Sequence, residues 1–306
     1  MTKSAIAASP ATLPRAALLS GLAIAIGAAV LFSTKAIVAK LLYRYQVDAI
    51  TVIAFRMLFS VPVFAGIAIW QMRKGPPLSP ADRWRLVGLG LMGYYLSSTL
   101  DFMGLQYISV GLERLILFLT PTFVLLFTST FLKRHISRIE WMALAISYCG
   151  IVLVFAHDLH SGMESVVLGS LLVLGSTLAY AVYLLLSGEL VRRIGSTRLV
   201  SYAMCVASAA CIAQFFALRP ASMLVQPAPV YWLSLVNALF CTILPVFMTM
   251  TAVKRIGAAT ASQAGMVGPV STLFLGALVL AEPITAIQLA GTALVMVGIY
   301  LLSKKK

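Results

Sequence analysis

Charge is what this sequence has least of. Of its 306 residues, 10% are Asp, Glu, Lys or Arg, whereas a soluble globular domain carries about 25%. So few charges cannot cover a water-facing surface, and contact with lipid removes the need for one. Acidic residues are scarcest, nine against 23 Lys and Arg, for a net charge of +14. That excess does not point to nucleic acid, because the basic residues sit in short clusters between long apolar runs. The four cysteines, Cys149, Cys205, Cys211 and Cys241, lie inside apolar runs. They lack the spacing of a metal site or disulfide framework and are expected to be small buried hydrophobes. His135, His157 and His160 are the only histidines, all in connections. With Asp158 they make at most a weak metal group, so no metal and no cofactor is expected. The sequence has no P-loop, which argues against ATP drive within the chain. It has no catalytic constellation either, so an enzyme is not expected.

What the sequence has in abundance is apolar length: 61% of its residues are hydrophobic. A membrane span needs about 20 mostly apolar residues. Ten segments fit: 17–42, 49–72, 86–107, 111–132, 139–157, 166–190, 199–218, 230–252, 258–280 and 284–303. Lipid offers no partner to unpaired backbone groups, and these continuous runs are unlike the short alternating strands of a barrel. The expected fold is therefore all-α, a polytopic membrane protein of ten transmembrane helices. The run after residue 15 is too long for a signal-peptide core and reads as a true first span. Trp84, Trp141 and Trp232 fall at span ends, where an interfacial belt places them.

Lys and Arg set the orientation. Lys3 and Arg15, Arg73 to Arg85, Lys133 to Arg138, Arg192 to Arg198, Lys254 with Arg255, and Lys304 to Lys306 all fall on one side. The other side holds little beyond Lys40, Arg44 and Arg219. The basic side, with both termini, is expected in the cytoplasm. The two halves also overlay at an offset of 148 residues, Gly21 on Gly169 and Pro121 on Pro269. Five spans per half is an odd number, so the second copy enters the membrane inverted, a transporter signature. The expected organisation is a cytoplasmic tail (1–15), a first five-helix repeat (16–157), a periplasmic connection (158–165), a second repeat (166–303) and a basic cytoplasmic tail (304–306). One polypeptide holds both repeats, so a monomer suffices.

Five ionisable residues lie inside spans near one level: Lys35, Arg56, Asp101, Glu113 and Arg114. The first three are about 9–10 Å below the outer end of their helices, at roughly 1.5 Å per residue. One charge in lipid costs about 2.5–3.5 kcal/mol on insertion scales. Five at similar depth imply either a structural salt-bridge network or a polar vestibule. In the second reading Arg56, and after it Lys35, would hold a substrate carboxylate. Asp101 and Glu113 would pair with them or meet an ammonium, and either is a candidate proton carrier. The second half has no such charges at the matching positions. It offers Tyr180, Tyr183, Tyr202, Asn237, Thr249 and Gln263 as hydroxyl, amide and aromatic contacts, with Tyr94 and Tyr95 available from the third span. Pro62, Pro121, Pro245 and Pro269 are expected to bend their helices. Gly88, Gly90 and Gly93 suit close helix approach.

These features resemble the drug/metabolite transporter superfamily, in its ten-helix form with two EamA-type repeats. The resemblance is carried by GLQYISVGLERLILFLTP at Gly104–Pro121, FLKRHISRIEW at Phe131–Trp141, AFRML around Arg56, Gly268-Pro269, and LVLAEPIT at Leu278–Thr285. The chain departs from the family where Glu113 and Arg114 replace small residues, and where Lys133 and Arg134 replace a Gly-Glu pair. The resemblance is strongest to amino-acid exporters, including those of aromatic amino acids. It implies a bacterial inner-membrane protein that exports neutral amino acids by alternating access, with membrane lipids as surroundings. The alternatives are transport of another small metabolite, or a lipid or amphiphile flippase.

Overall fold

The computed structural model describes residues 15–132, 135–160 and 165–304. Lys3, Lys133, Arg134, Lys305 and Lys306, part of the charge pattern above, lie outside them. Among the described residues the helices form ten long segments, with one short 3-10 turn at Ala221–Leu224 besides. They are α1 (Arg15–Arg44), α2 (Ala49–Lys74), α3 (80–105), α4 (110–132), α5 (Arg138–His160), α6 (Val166–Ile194), α7 (Ser196–Leu218), α8 (228–256), α9 (258–280) and α10 (Ala286–Lys304). Seven are long and apolar enough to cross a membrane. The apolar parts of α9 and α10, Val267–Leu280 and Ala286–Leu302, are shorter. α3 has the length but carries Tyr94, Tyr95, Ser97, Ser98 and Asp101 on its inner turns.

Local chemistry ends the helices where the apolar runs stop. Asp48, Ser79 and Ser109 cap α2, α3 and α4 by accepting hydrogen bonds from first-turn backbone N–H groups. α3 therefore begins at Pro80, six residues before its apolar run, because Ser79 and Pro80 form a ready N-terminus. The chain reverses between α8 and α9 at Gly257, whose φ of 79° suits a residue without Cβ. Large apolar side chains point outwards, among them Leu278, Phe131, Leu186 and Val152, as a lipid-facing surface requires. Trp84, Trp141 and Trp232 are exposed at helix ends. Of the cysteines, Cys211 and Cys241 are buried and Cys205 is half-buried, but Cys149 is exposed on α5. The expectation of four buried thiols is corrected there: an outer surface that is itself apolar accepts a thiol without a core to hide it.

Packing relates the two halves by exchange. α3 packs on α6 and α8 on α1; α4 packs on α6 and α9 on α1; α2 meets α7 and α5 meets α10. Replacing each helix by its counterpart five places along interchanges the first two couples of pairs and turns α2–α7 and α5–α10 into themselves. Such an exchange is a two-fold repeat of five helical segments. The α5–α10 crossing is made by small residues. A Cβ at Gly150 would stand 2.6 Å from the Gly291 carbonyl oxygen, and one at Gly298 would stand 2.6 Å from that of Ala143. In α3, Gly90 lies against the Ala203 backbone and Gly93 against Tyr183, while Gly88 meets nothing within 4 Å.

Two of the helix interruptions are also paired between the halves, whereas the π-stretch at Gly276–Leu280 is not. α3 widens into π-helix at Leu91–Leu96 and α8 at Leu239–Ile243. α4 breaks at Phe118–Leu119 and α9 at Gly265–Met266, each just before the matched Pro121 or Pro269. Proline has no N–H, and its ring clashes with the carbonyl four residues back. The Leu117 carbonyl so released accepts from Thr120 Oγ1 at 2.7 Å. Pro245 follows the π-stretch of α8, whereas α2 continues as helix through Pro62.

Candidate functional site

A cavity of about 550 Å³ lies between the two halves. Every helix except α5 and α10 contributes to its lining. On α1 the lining runs from Ala25 to Lys35, a length of about 15 Å at 1.5 Å per residue. Lys35, Arg56, Asp101 and Arg114 form one end, towards the face opposite the termini, here the far face. Ala25, Ala252, Val253 and Ala261 lie towards the face that carries the termini.

At the charged end the Lys35 ammonium pairs with Asp101 Oδ2 and stands 3.3 Å from Glu113 Oε1. Glu113 is fully buried behind the cavity wall. Arg56 donates through Nε to Thr242 Oγ1 at 2.8 Å, and its Nη1 has no hydrogen-bond partner among the described residues. Arg114 donates to Thr272 Oγ1 at 3.1 Å and to the Phe32 carbonyl at 2.8 Å. Each of these two arginines of the first half is thus held by a threonine of the second. The Phe102 ring lies beneath both Lys35 and Arg56, with its centroid 5.6 Å and 5.2 Å away, a cation–π arrangement that steadies both charges. The rest of the lining is aromatic, aliphatic, small or hydroxylic, with Phe32, Phe118, Tyr94, Tyr180, Ser97 and Ser98 among it.

The structure brings together Lys35, Arg56, Tyr94, Asp101, Arg114 and Thr249 around this space, with Pro121 in its wall. Glu113 and Tyr183 stand behind the lining, the latter hydroxyl to hydroxyl with Tyr94 at 3.2 Å. Four expected contacts are elsewhere. Tyr95 packs into the core of the bundle and Gln263 is exposed. Tyr202 accepts from Arg198 Nε. Asn237 is fully buried off the cavity, and its backbone carbonyl accepts from Thr242 Oγ1 at 3.0 Å. Residue type could not have separated these from the cavity group, because nothing in the letters fixes how a helix is rotated. The partners Thr242 and Thr272, and the rings of Phe32 and Phe118, were not singled out from sequence, since Thr and Phe are ordinary in any span.

Beyond the charged end, the far face is tied shut across the halves. Arg219 Nη2 pairs with Asp48 Oδ2 at 3.0 Å, and Arg44 donates to the Leu280 carbonyl at 2.9 Å. Partial burial pushes the Asp48 carboxyl up, but hydrogen bonds from Thr51 and Arg219 and the Arg219 charge outweigh it and hold it below the usual carboxylate range. Asp158 accepts from Ser109 Oγ at 2.6 Å. On the terminal face, Arg193 pairs with Asp82 at 2.5 Å and Arg198 donates to the Pro76 carbonyl at 2.7 Å. Among the described residues no group of three or more His, Cys, Asp or Glu could hold a metal ion.

Two stretches of the chain, 19–156 and 167–304, each match the EamA-like transporter family, and their starts stand 148 residues apart. The uncharacterized transporter YcbK of Bacillus subtilis is 32% identical over 86% of this chain and 86% of its own. An uncharacterized transporter of Archaeoglobus fulgidus is 26% identical over 84% and 89%. The uncharacterized transporter sll1319 of Synechocystis is 24% identical over 94% of each. A solved crystal structure superposes with a TM-score of 0.63 at 17% identity, over 93% of this chain and 96% of the other, which is a likeness of fold. The same family pattern occurs once in each of the two halves that enclose the cavity, and these relatives are named as transporters: the chain belongs to the EamA-like transporter family.

Proposed function

We propose that this transporter exports neutral amino acids, aromatic ones among them, across a bacterial inner membrane by alternating access, with both termini in the cytoplasm. The observation that carries the reading is Arg56. It lines the cavity, its side chain meets only the neutral Thr242 hydroxyl and Phe102 ring, and its buried Nη1 has no hydrogen-bond partner among the described residues. Lys35, by contrast, is already matched by two carboxylates. A desolvated guanidinium with spare donors suits a carboxylate, which it grips with two parallel hydrogen bonds. Phe32, Phe118, Tyr94 and Tyr180 offer ring surface to an apolar or aromatic side chain. The cavity volume falls within the roughly 300–1,000 Å³ of small-molecule sites. The basic connections on the terminal face support its cytoplasmic placement. Both repeats lie in one chain, so a monomer encloses the whole route.

The test is counterflow in proteoliposomes preloaded with single amino acids and given the same compound labelled outside. Wild-type protein exchanges at least one neutral amino acid, and Arg56→Met loses that exchange while still folding. Equal exchange in protein-containing and empty vesicles across the whole panel contradicts the reading. Movement of a labelled phospholipid in those vesicles would instead favour the flippase.

A further inference from the structure

The terminal face carries a second hollow, apart from the central cavity. Its volume is about 310 Å³, and it lies where the α2–α3 connection meets the corner between α6 and α7. Gln71, Pro76, Pro77 and Asp82 line it from the first half, Arg193 and Arg198 from the second. Arg198 is 6% exposed. It donates through Nε to the Tyr202 hydroxyl at 3.3 Å and through Nη2 to the Pro76 carbonyl at 2.7 Å, while its Nη1 donates to no group among the described residues. A Cβ at Gly75 would stand 2.8 Å from that Nη1, so the glycine keeps open the space beside the guanidinium. Arg193 pairs through Nη2 with Asp82, and the acid beside its Nη1 is the exposed Glu189, 4.0 Å away. Asp82 is already engaged, since its Oδ2 also accepts from Ser79 Oγ at 2.7 Å. The hollow therefore presents two guanidinium groups with free donors, and the one acid in its wall is taken.

Its surroundings are basic and lie at the membrane surface. Residues 71–85 and 189–198 hold seven Arg and Lys against two acids, Asp82 and Glu189. Arg83 adds a guanidinium at the rim, where it donates to the carbonyl of Leu78 at 3.2 Å. Trp70 and Trp84 are exposed, each about 6 Å inside the end of its helix at 1.5 Å per residue. Such rings sit at the level of the lipid headgroups. The Lys74 ammonium lies 4.2 Å from the Trp70 ring centroid, beside the hollow rather than in it. Gly75 to Leu78, which continue beyond the end of α2, thus stand among the headgroup phosphates.

We propose that this hollow binds the phosphate group of an anionic membrane lipid. A phosphodiester accepts parallel hydrogen bonds from guanidinium groups, and Arg198 and Arg193 offer theirs from the second half. Pro76 and Pro77 have no N–H to give, so the donor from the first half is the Gln71 side-chain amide. Basic pockets between helices at a membrane surface hold anionic headgroups in this way. The surplus of positive charge repels a headgroup that carries an ammonium, so phosphatidylglycerol binds in preference to phosphatidylethanolamine. A phosphate held there joins the α2–α3 connection to α6 and α7 across the two halves, and it stabilises the fold by its occupancy. The site is independent of the compound carried in the central cavity.

The experiment is native mass spectrometry of the purified full chain, titrated in detergent with dioleoyl phosphatidylglycerol or dioleoyl phosphatidylethanolamine, with melting temperature measured on the same samples. Wild type should retain one phosphatidylglycerol that raises its melting temperature, and should hold phosphatidylethanolamine several times more weakly. Arg193→Gln and Arg198→Gln should each weaken retention of phosphatidylglycerol about fivefold and remove the thermal gain. Should Arg198→Gln not fold, Gly75→Leu, which fills the hollow and leaves both arginines in place, joins the half-exposed Arg193→Gln in carrying the test. Lys254→Gln, exposed on the same face but outside the hollow, should match wild type. Inorganic phosphate and glycerol 1-phosphate at millimolar concentration should leave the lipid in place. The proposal is overturned if the two lipids are retained alike, or if Arg193→Gln and Gly75→Leu both hold phosphatidylglycerol as wild type does. Displacement of the lipid by either soluble phosphate would overturn its assignment to a lipid.

Discussion

At the residue scale, the account rests on what a guanidinium does that an ammonium cannot. Arg56→Lys keeps the charge but loses the planar fork, and the KM for counterflow should rise about tenfold. Arg56→Met, which removes a charged hydrogen bond worth about 1.5–3 kcal/mol, should raise it about tenfold to a hundredfold or abolish exchange. The far-face pair offers a pH test. Asp48 is held below its usual range, so its contribution is present above its unfolded value and lost as pH falls through the lower folded one. Arg219 and Asp48 are partly exposed, so the stabilisation is about 0.2–1 kcal/mol. Asp48→Asn should lower thermal stability slightly at neutral pH, and the difference from wild type should vanish in strong acid. Residues were legible from sequence where burial is expensive. Lys35, Arg56, Asp101, Glu113 and Arg114 stood out because a charge inside a span needs a partner, and they do converge. Tyr202, Asn237 and Gln263 were read from the same kind of position and face elsewhere, because a hydroxyl or amide in a span costs too little to announce its surroundings.

At the element scale, two interruptions in each half fall in matching places and adjoin the cavity, while the π-stretch at Gly276–Leu280 has no counterpart in the first half. Gly93, Tyr94, Thr242 and Phe118 all lie within or beside one and also line the cavity. The prolines signalled half of this. Pro121 and Pro269 coincide with breaks because a missing N–H is written in the sequence. The π-stretches at Leu91–Leu96 and Leu239–Ile243 were not legible, since an extra residue in a turn has no letter of its own. Pro121→Ala restores the N–H and removes the ring clash, so α4 should straighten. Counterflow should then fall severalfold while the melting temperature holds or rises. The α5–α10 crossing makes the opposite test. Gly150→Leu drives a side chain into the Gly291 backbone and should destabilise by about 1–3 kcal/mol. Gly66→Ala, which meets nothing within 4 Å, should leave the melting temperature unchanged or raise it slightly.

At the scale of the whole molecule, the sequence offset of 148 residues reappears as an exchange of packing partners and as a doubled family match. Composition and apolar periodicity were enough to read an all-helical membrane protein in two halves, because lipid permits few other solutions. They could not tell which ends are locked. That depends on side chains from different halves meeting, as Arg219 meets Asp48 and Arg44 meets the Leu280 carbonyl. Ties across the halves are made on both faces, at Asp82 and Pro76 as well as at Asp48 and Leu280, and alternating access requires each set to open in its own phase of the cycle. The most direct measurement places a cysteine at Ser98, in the cavity wall, with Cys149, Cys205, Cys211 and Cys241 replaced, and applies a membrane-impermeant thiol reagent to each side in turn. The account predicts labelling from the terminal face in the unloaded protein and from the far face when the cycle is driven over, never from both at once. Simultaneous labelling from both sides, or none from either side under any condition, would contradict it.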